Sequence, residues 1–149
     1  MTHFRFRLEA VRNVRELQMH AEENALAALF GQRTHLLSLV VRVQMQCDEL
    51  SRRMYESEVG GAPAAQLQFV ESQRIALRRA AAEIQSTIED LNRAISLQQE
   101  KYMSARRESE KLERLRATEL AAWHKQLERR DQAAVDELFL MRLGARSKR

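Results

Sequence analysis

Residues that form turns are scarce in this chain. It has four glycines and one proline among 149 residues, whereas a globule of this length needs several reversals of direction, which Gly, Pro, Asn, Asp and Ser usually provide. One cluster of such residues is present, VGGAPAA at residues 59–65. With a single break, the sequence favours two long helices that contact along a seam over a compact fold with a thick core.

Cysteines and long apolar runs are also scarce. Cys47 is the only cysteine, so the chain forms no internal disulfide and no thiolate metal site, which fits a reducing compartment. No stretch approaches the ~20 apolar residues of a membrane span, and no apolar signal segment follows the basic start MTHFRFR. We therefore predict a cytoplasmic protein that meets a membrane only indirectly.

The residue patterns of catalytic sites are missing from the sequence. No two histidines lie three or four residues apart, as a helical metal site or proton relay needs. Adjacent acidic residues point to different parts of a helix surface, and Gly60 and Gly61 are not followed by the Lys and Ser or Thr of a phosphate-binding loop. The sequence predicts no enzyme, no cofactor and no metal.

The charge of the chain is positive but mixed. The formal net charge of +4 and the pI near 9.7 would suit a nucleic-acid binder, because clustered Arg and Lys provide most non-specific affinity for phosphate. However, 21 acidic residues are interleaved with the basic ones, a pattern typical of a solvated helix surface. We predict no nucleic-acid partner, although an Arg-rich nucleic-acid-binding coiled coil remains an alternative.

A heptad pattern runs along both halves of the chain, with apolar residues alternately three and four apart. In the first half it is interrupted by Glu22 and Arg33. In the second half it skips Arg74, Gln98 and Ser109, and its phase drifts after Leu112, which predicts either local unwinding or an end to pairing near residue 115. The clearest runs are Leu36, Val40, Val43, Cys47, Leu50 and Met54, and then Leu77, Ala81, Ile84, Ile88, Leu91 and Ile95.

The break between the halves predicts a hairpin. Gly60 and Gly61 can end the first helix, and Pro63 suits the first turn of the second. We predict an all-α, long antiparallel two-helix coiled-coil hairpin with unequal arms, in one domain: helix one at about 2–58, a loop at 59–63, helix two at 64–143 and a basic tail at 144–149. Pairing of two chains in trans, with the break as a kink, is the alternative.

The second helix is predicted to be longer than the first. At ~1.5 Å per residue, the helices would extend roughly 85 and 120 Å, so helix two would project some 30 Å past its partner. That overhang contains Trp123 and the apolar run LFLM at residues 138–141, for which the hairpin offers no partner. We expect Trp123 to be either an interface anchor or a packing residue, and unpaired apolar surface at the end of a hairpin to dock another protein.

Both ends of the chain resemble the FliJ family of bacterial flagellar type III export proteins. FRFRLEAVRNVRE at residues 4–16 is similar to the start of that family, an FxFRL segment followed by an Arg-Glu pair. EKLERLRATELAAWHKQLERRDQAAVDEL at residues 110–138 is similar to its basic C-terminal helix, with Val135 in place of a leucine. The middle of the chain matches only in its heptad character and its loop.

The resemblance implies a stalk-like hairpin, similar to the shaft of rotary ATPases, in the flagellar export apparatus. It implies three partners: the ring of the export ATPase FliI, the export gate protein FlhA, and export chaperones. It also implies a peripheral position at the cytoplasmic face of the inner membrane, reached through the gate. The equivalent stalk of a virulence type III secretion system is the alternative.

The candidate partner-binding residues lie at both ends of the chain. We expect the paired terminal segments to enter the ring and the loop end to face the gate. The candidates are Phe4, Phe6, Leu8, Val11, Trp123, Leu127, Arg129, Arg130, Val135 and Leu138.

Overall fold

The chain folds into two long α-helices that pack against each other. The computed structural model describes residues 3–146, and within that range the regular elements are α1, Glu9–Val59, and α2, Ala64–Arg146. No strand occurs among these residues, and neither helix is apolar enough over a sufficient length to cross a membrane. The predicted fold class, an all-α helical hairpin with unequal arms, is confirmed.

The N-terminal segment differs from the prediction of a helix starting near Thr2. Thr2 lies outside the described residues, but residues 3–6 have no regular structure, residues 7 and 8 form a turn, and α1 begins at Glu9. Phe6 is only 4% exposed and Phe4 is half-buried. Two residues that are two positions apart point to different sides of a helix, so a non-helical segment is what allows both rings to be covered.

The connection between the helices is closed by hydrogen bonds. The N–H of Ala62 donates to the carbonyl of Ser57 at 2.9 Å, and the N–H of Gly61 donates to that of Glu58 at 3.2 Å. This pair of bonds is the Schellman motif, which needs a left-handed residue after the helix, and Gly61 provides it with φ of 73°. Pro63 directly precedes α2, and its carbonyl accepts the N–H of Gln66 at 3.0 Å.

The C-terminus of α2 also differs from the prediction. The helix continues beyond the expected end near Leu143 and includes residues 144–146 of the predicted basic tail. Residues 147–149 of that tail lie outside the described part of the chain. A single Gly144 costs a helix only about 1 kcal/mol relative to alanine, which is too little to end α2 there.

The chain divides into two compact units. Unit 2, Ala21–Met103, contains the loop and the most regular part of the seam. Cys47, Ile88 and Ile95 are buried there, and the other predicted apolar seam positions of this unit are half-buried. The heptad prediction is therefore confirmed for this unit, including the placement of the Cys47 thiol among the buried side chains.

Polar residues interrupt the seam of unit 2 where the sequence predicted interruptions. Gln98 Nε2 donates to the backbone carbonyl of Glu22 at 3.2 Å and also to its carboxylate. Arg33 Nη1 donates to Asn92 Oδ1 at 3.5 Å, and its guanidinium lies 4.9 Å from the centre of the Phe30 ring. These contacts satisfy the Gln98 amide and one nitrogen of the Arg33 guanidinium, while Arg33 Nε has no hydrogen-bond partner among the described residues.

Unit 1 comprises Met1–His20 and Ser104–Arg149. Leu120, Trp123 and Leu127 are half-buried, so of the two alternatives predicted near residue 115, an end to pairing is wrong. Polar residues occupy some of the heptad positions of this seam: Ser109 is buried and Arg116 is half-buried. A heptad pattern that is read from apolar residues alone misses such positions and therefore shifts to another face of the helix.

Candidate partner-binding surface

The ten candidate partner-binding residues all belong to unit 1. They do not share one environment. Leu8, Val11, Val135 and Leu138 are exposed, as are Arg129 and Arg130, whereas Phe4, Trp123 and Leu127 are half-buried and Phe6 is buried. Two groups follow from this: a packed aromatic cluster beside the N-terminal segment, and an exposed end of α2.

The aromatic cluster joins the N-terminal segment to α2. The ring centroids of Phe4 and Trp123 are 6.0 Å apart with planes tilted by 56°, and the imidazole of His124 meets the indole at 4.9 Å. These are the tilted and edge-on arrangements that aromatic pairs prefer. The expectation that Trp123 has no partner within the chain is wrong, because the non-helical N-terminal segment reaches it.

Phe6 is a packing residue of unit 1. The sequence assigned it to the contact with another protein, but its side chain is covered by the chain itself. Its backbone carbonyl accepts the N–H of Glu9 at 3.3 Å, at the start of α1. The ring therefore holds the N-terminal segment in place, and the neighbouring side chains remain available to a partner.

An ion-pair network fixes α1 against α2 in this unit. Arg12 Nη1 lies 2.5 Å from Glu113 Oε1, and Arg12 Nη2 lies 2.7 Å from Glu9 Oε1. The hydrogen bonds that the Arg12 guanidinium donates to these two carboxylates, above all to Glu113, raise its pKa above its ordinary value. Arg116 Nε lies 3.5 Å from the other carboxylate oxygen of Glu9. Glu9 thus connects two arginines from different helices.

A cleft of about 1080 Å³ opens beside this network. Its walls come from the segment that precedes α1, from the first turn of α1 and from one residue of α2, and they carry more positive than negative charge. The lining residues are His3, Phe4, Arg5, Phe6, Arg7, Glu9, Ala10 and Arg116. Sequence reasoning named the two phenylalanines but missed the arginines, because Arg116 lies more than 100 residues from the segment that it meets.

The C-terminal part of α2 is fully uncovered. Every side chain from residue 128 to residue 144 is exposed. Leu138, Phe139, Leu140 and Met141 are consecutive, and each is between 61% and 66% exposed. Since successive residues of a helix are rotated by about 100°, these four side chains point to all sides of α2. We call residues 138–141 the apolar collar.

Unit 2 has a smaller apolar feature that the sequence analysis did not single out. Leu37, Val41 and Met45 are exposed and follow one another every four residues along α1, so they share one face of that helix. Met45 also borders a groove of about 580 Å³ whose other side includes Ala76 of α2. Their spacing was visible in the sequence, but the seam pattern beside it was stronger.

Within the described residues, no group of three or more His, Cys, Asp or Glu side chains could hold a metal ion. The grooves and clefts described above lie open at the surface of a two-helix structure, and the apolar collar stands free on a single helix. The fold and these surfaces together define a helical coiled-coil protein whose distinctive features are an exposed apolar helix end and a basic cleft.

The comparison with protein families gives a more specific result. The model of the family described as Flagellar FliJ protein matches residues 4–149 of the chain, and the protein belongs to this family. No curated protein and no solved structure matches the chain significantly. Membership makes the protein a component of flagellar type III protein export. The resemblance noted from the two ends of the sequence is thereby confirmed, and the matched range extends it across the middle.

Proposed function

We propose that this protein acts as a stalk in flagellar export, with unit 1 enclosed by the ring of the export ATPase FliI. In this role it catalyses nothing itself. It shifts the populations of the ring's conformations by making different contacts with each, because a bound protein shifts an equilibrium only through differential affinity. The residues that enter the ring include Leu8, Val11, Val135 and Leu138, together with Arg129 and Arg130.

The observation that carries this proposal is the apolar collar. A helix that is apolar on one face docks into a groove, whereas a helix that is apolar on all sides needs cover on all sides. The collar is uncovered in the chain. A partner with a central channel covers such a helix from every direction, and a hexameric ring has such a channel.

Two further partners belong to the proposal. The loop end of unit 2 would contact the export gate protein FlhA, and the chain would escort export chaperones. The exposed stripe of Leu37, Val41 and Met45 supplies apolar surface for one of these contacts. Through the gate, the protein would lie at the cytoplasmic face of the inner membrane without itself entering the lipid.

The experiment that tests the stalk is co-purification with FliI, together with its rate of ATP hydrolysis. We expect the wild-type chain to be retained by the ATPase and to stimulate ring assembly or hydrolysis at a stoichiometric ratio. Leu140→Gln removes apolar surface from the collar, and we expect it to reduce both retention and stimulation about tenfold or more, since a central apolar anchor often dominates an interface. The proposal would be contradicted if the ATPase neither retained the wild-type chain nor changed its rate of ATP hydrolysis when the chain was added.

A matched control is available on the same helix. Leu97 is 62% exposed and Leu140 is 66% exposed, so Leu97→Gln makes the same chemical change at the same exposure but in unit 2. We expect Leu97→Gln to leave the ATPase response unchanged. Equal losses from both variants would mean that the collar is not the surface that the ring encloses.

A further inference from the structure

The charges of the chain are distributed unevenly between its two units. Counted from the sequence, unit 1 has 16 basic and 10 acidic residues, a formal charge of +6, and unit 2 has 9 basic and 11 acidic residues, a formal charge of −2. The two values sum to the +4 of the whole chain. The basic character of the protein therefore belongs to unit 1, and within it the cleft beside the N-terminal segment brings three arginines to one place.

Two of these arginines have no partner within the described residues. Arg5 and Arg7 are exposed, and neither makes an ion pair with a described carboxylate. Most other arginines near them are neutralised: Arg12 is held by Glu9 and Glu113, and Arg116 by Glu9. The cleft thus has two lining guanidinium groups without an ion-pair partner among the described residues, Arg5 and Arg7, whereas Glu9 and Arg116 in the same lining are paired with each other.

The walls of the cleft are not uniformly polar. Phe4 and Phe6 line it alongside the arginines, and Phe4 is held in place by its contact with Trp123. A ligand that fills the cleft therefore meets fixed aromatic surface and two fork-shaped donors. Guanidinium groups bind carboxylates through two parallel hydrogen bonds, while the rings favour aliphatic side chains.

We propose that this cleft binds an acidic segment of a partner protein in which carboxylate side chains alternate with aliphatic ones. The volume of about 1080 Å³ is large for a single small anion and suits several residues of a peptide. Glu9 in the lining disfavours a polyphosphate backbone, which brings several negative charges close together. A peptide can place its carboxylates on Arg5 and Arg7 and its aliphatic groups over Phe4, which is only half-buried.

The identity of the partner rests on the proposed function, in which the segment would belong to the export ATPase. The chemistry of the cleft does not rest on it. The collar and the cleft are also different kinds of surface: any apolar partner can cover the collar, whereas the cleft selects a negatively charged ligand. Their contributions to binding can be separated because salt does not screen apolar contacts, whereas it weakens exposed ion pairs.

The test uses the full chain and a ten-residue peptide of alternating Glu and Leu as the probe. Trp123 is the only tryptophan of the protein and contacts Phe4 in the cleft wall, so its fluorescence reports occupancy. We expect the peptide to change this fluorescence with an affinity that falls as salt is raised. The same peptide with Gln in place of Glu, and inorganic tripolyphosphate, should bind at least tenfold more weakly.

Variants locate the effect. Arg5→Gln with Arg7→Gln should weaken peptide binding about tenfold, because both ion pairs to the peptide carboxylates are lost. Arg5→Lys with Arg7→Lys should retain part of the affinity, since the charge remains but the fork is lost. The control is Arg78→Gln with Arg79→Gln, two exposed arginines of unit 2, which makes the same change in net charge and should bind as the wild type does.

The outcomes separate this inference from the proposed function. Equal binding of the Glu and Gln peptides, or of tripolyphosphate and the Glu peptide, would overturn the acidic-segment assignment, as would equal losses from the two Gln double variants. If FliI is retained by the wild-type chain but the peptide does not bind, the cleft assignment is wrong and the stalk stands. If the peptide binds but FliI is not retained, the stalk is wrong and the cleft assignment stands.

Discussion

The ring of Phe4 lies against the indole of Trp123, with centroids 6.0 Å apart, although 118 residues separate the two in the sequence. Phe4 belongs to the non-helical segment before α1, and Trp123 lies on the last part of the α2 seam that is still half-buried. Their contact therefore marks where the covered part of α2 ends and its exposed part begins.

This contact gives a first prediction. Phe4→Ala removes the ring that covers one side of the indole, so we expect the emission of Trp123 to move to longer wavelength and the free energy of unfolding to fall by about 1 kcal/mol or more. Fluorescence spectra and urea unfolding measure the two effects. Phe139→Ala is the control, because Phe139 is exposed and should change neither. An unchanged emission spectrum in Phe4→Ala would show that the rings are apart in solution.

A second prediction concerns the seam of unit 2. Ile95 is 4% exposed, and Ile95→Ala should lower the free energy of unfolding by about 2–5 kcal/mol, since truncation of a buried aliphatic side chain loses both burial and packing. Leu97 is two residues away and largely exposed, so Leu97→Ala should cost about 0.5 kcal/mol or less. Urea unfolding followed by circular dichroism checks both, and similar losses would contradict the assignment of Ile95 to the seam.

A third prediction concerns Arg33, whose Nε is buried without a hydrogen-bond partner among the described residues. The contacts to Asn92 and Phe30 only partly replace the lost water. We expect Arg33→Leu to raise the free energy of unfolding by about 1 kcal/mol, because Arg33 is half-buried at a seam position with a poorly satisfied Nε, and apolar replacement of such a charge is often stabilising. Arg42→Leu, at an exposed position of the same helix, should have no such effect. A loss of stability in Arg33→Leu would mean that its two contacts outweigh its desolvation.

A fourth prediction concerns pH. Hydrogen bonds from Arg52 and Arg53 lower the pKa of Glu49 below its ordinary value of 4.5, and a hydrogen bond from Lys111 does the same for Glu108. A carboxyl group whose pKa is lower in the folded state stabilises the fold above its unfolded pKa, and this contribution is lost as pH falls through the folded pKa. The contribution of these two groups to the melting temperature should therefore stay constant down to about pH 4.5 and decline below that pH.

Substitution of one of these carboxylates tests the assignment. Glu49→Gln should make the decline of the melting temperature below pH 4.5 shallower than in the wild type, because one contributing group is gone. Glu83→Gln is the control, since Glu83 is exposed and its carboxylate forms no ion pair with the described residues. The same slope in Glu49→Gln and the wild type would show that the contacts of Glu49 are not maintained in solution.

The sequence predicted the seam of unit 2 because apolar residues there repeat without long interruption. From Leu77 to Ile95 the spacing of three and four residues specifies a single helix face, and the structure buries or half-buries that face. Gly61 was equally predictable, since a left-handed residue after α1 favours glycine. In both cases the local pattern and the final structure require the same residue types.

The seam of unit 1 was harder to predict because charged residues occupy its heptad positions. Stepping back from Met19 by three and then four residues reaches Glu16 and Arg12, and both are half-buried. The apolar Val11 and Val14 beside them are exposed. The heptad spacing continues through Glu16 and Arg12, but a pattern that is read from apolar residues follows Val11 and Val14 on the exposed face. The ion pair between Arg12 and Glu113 is what makes a charged residue acceptable there.

The N-terminal segment could not be predicted from periodicity at all. Phe4, Leu8 and Val11 are spaced as on one helix face, yet the first four described residues are not helical. The deciding contact joins Phe4 of this segment to Trp123, more than a hundred residues away. Local propensity is a weak guide where distant contacts bury two aromatic rings at once.

The apolar collar also bears on the fate of the chain before it meets a partner. Chains made in excess of that partner carry an uncovered hydrophobic helix, and such surfaces attract self-association and the proteases that remove incompletely assembled proteins. If the collar is enclosed as proposed, the quantity of protein that survives in a cell would be set by how much of the enclosing partner is present. Assembly itself would keep the two in proportion, without a separate control on their synthesis.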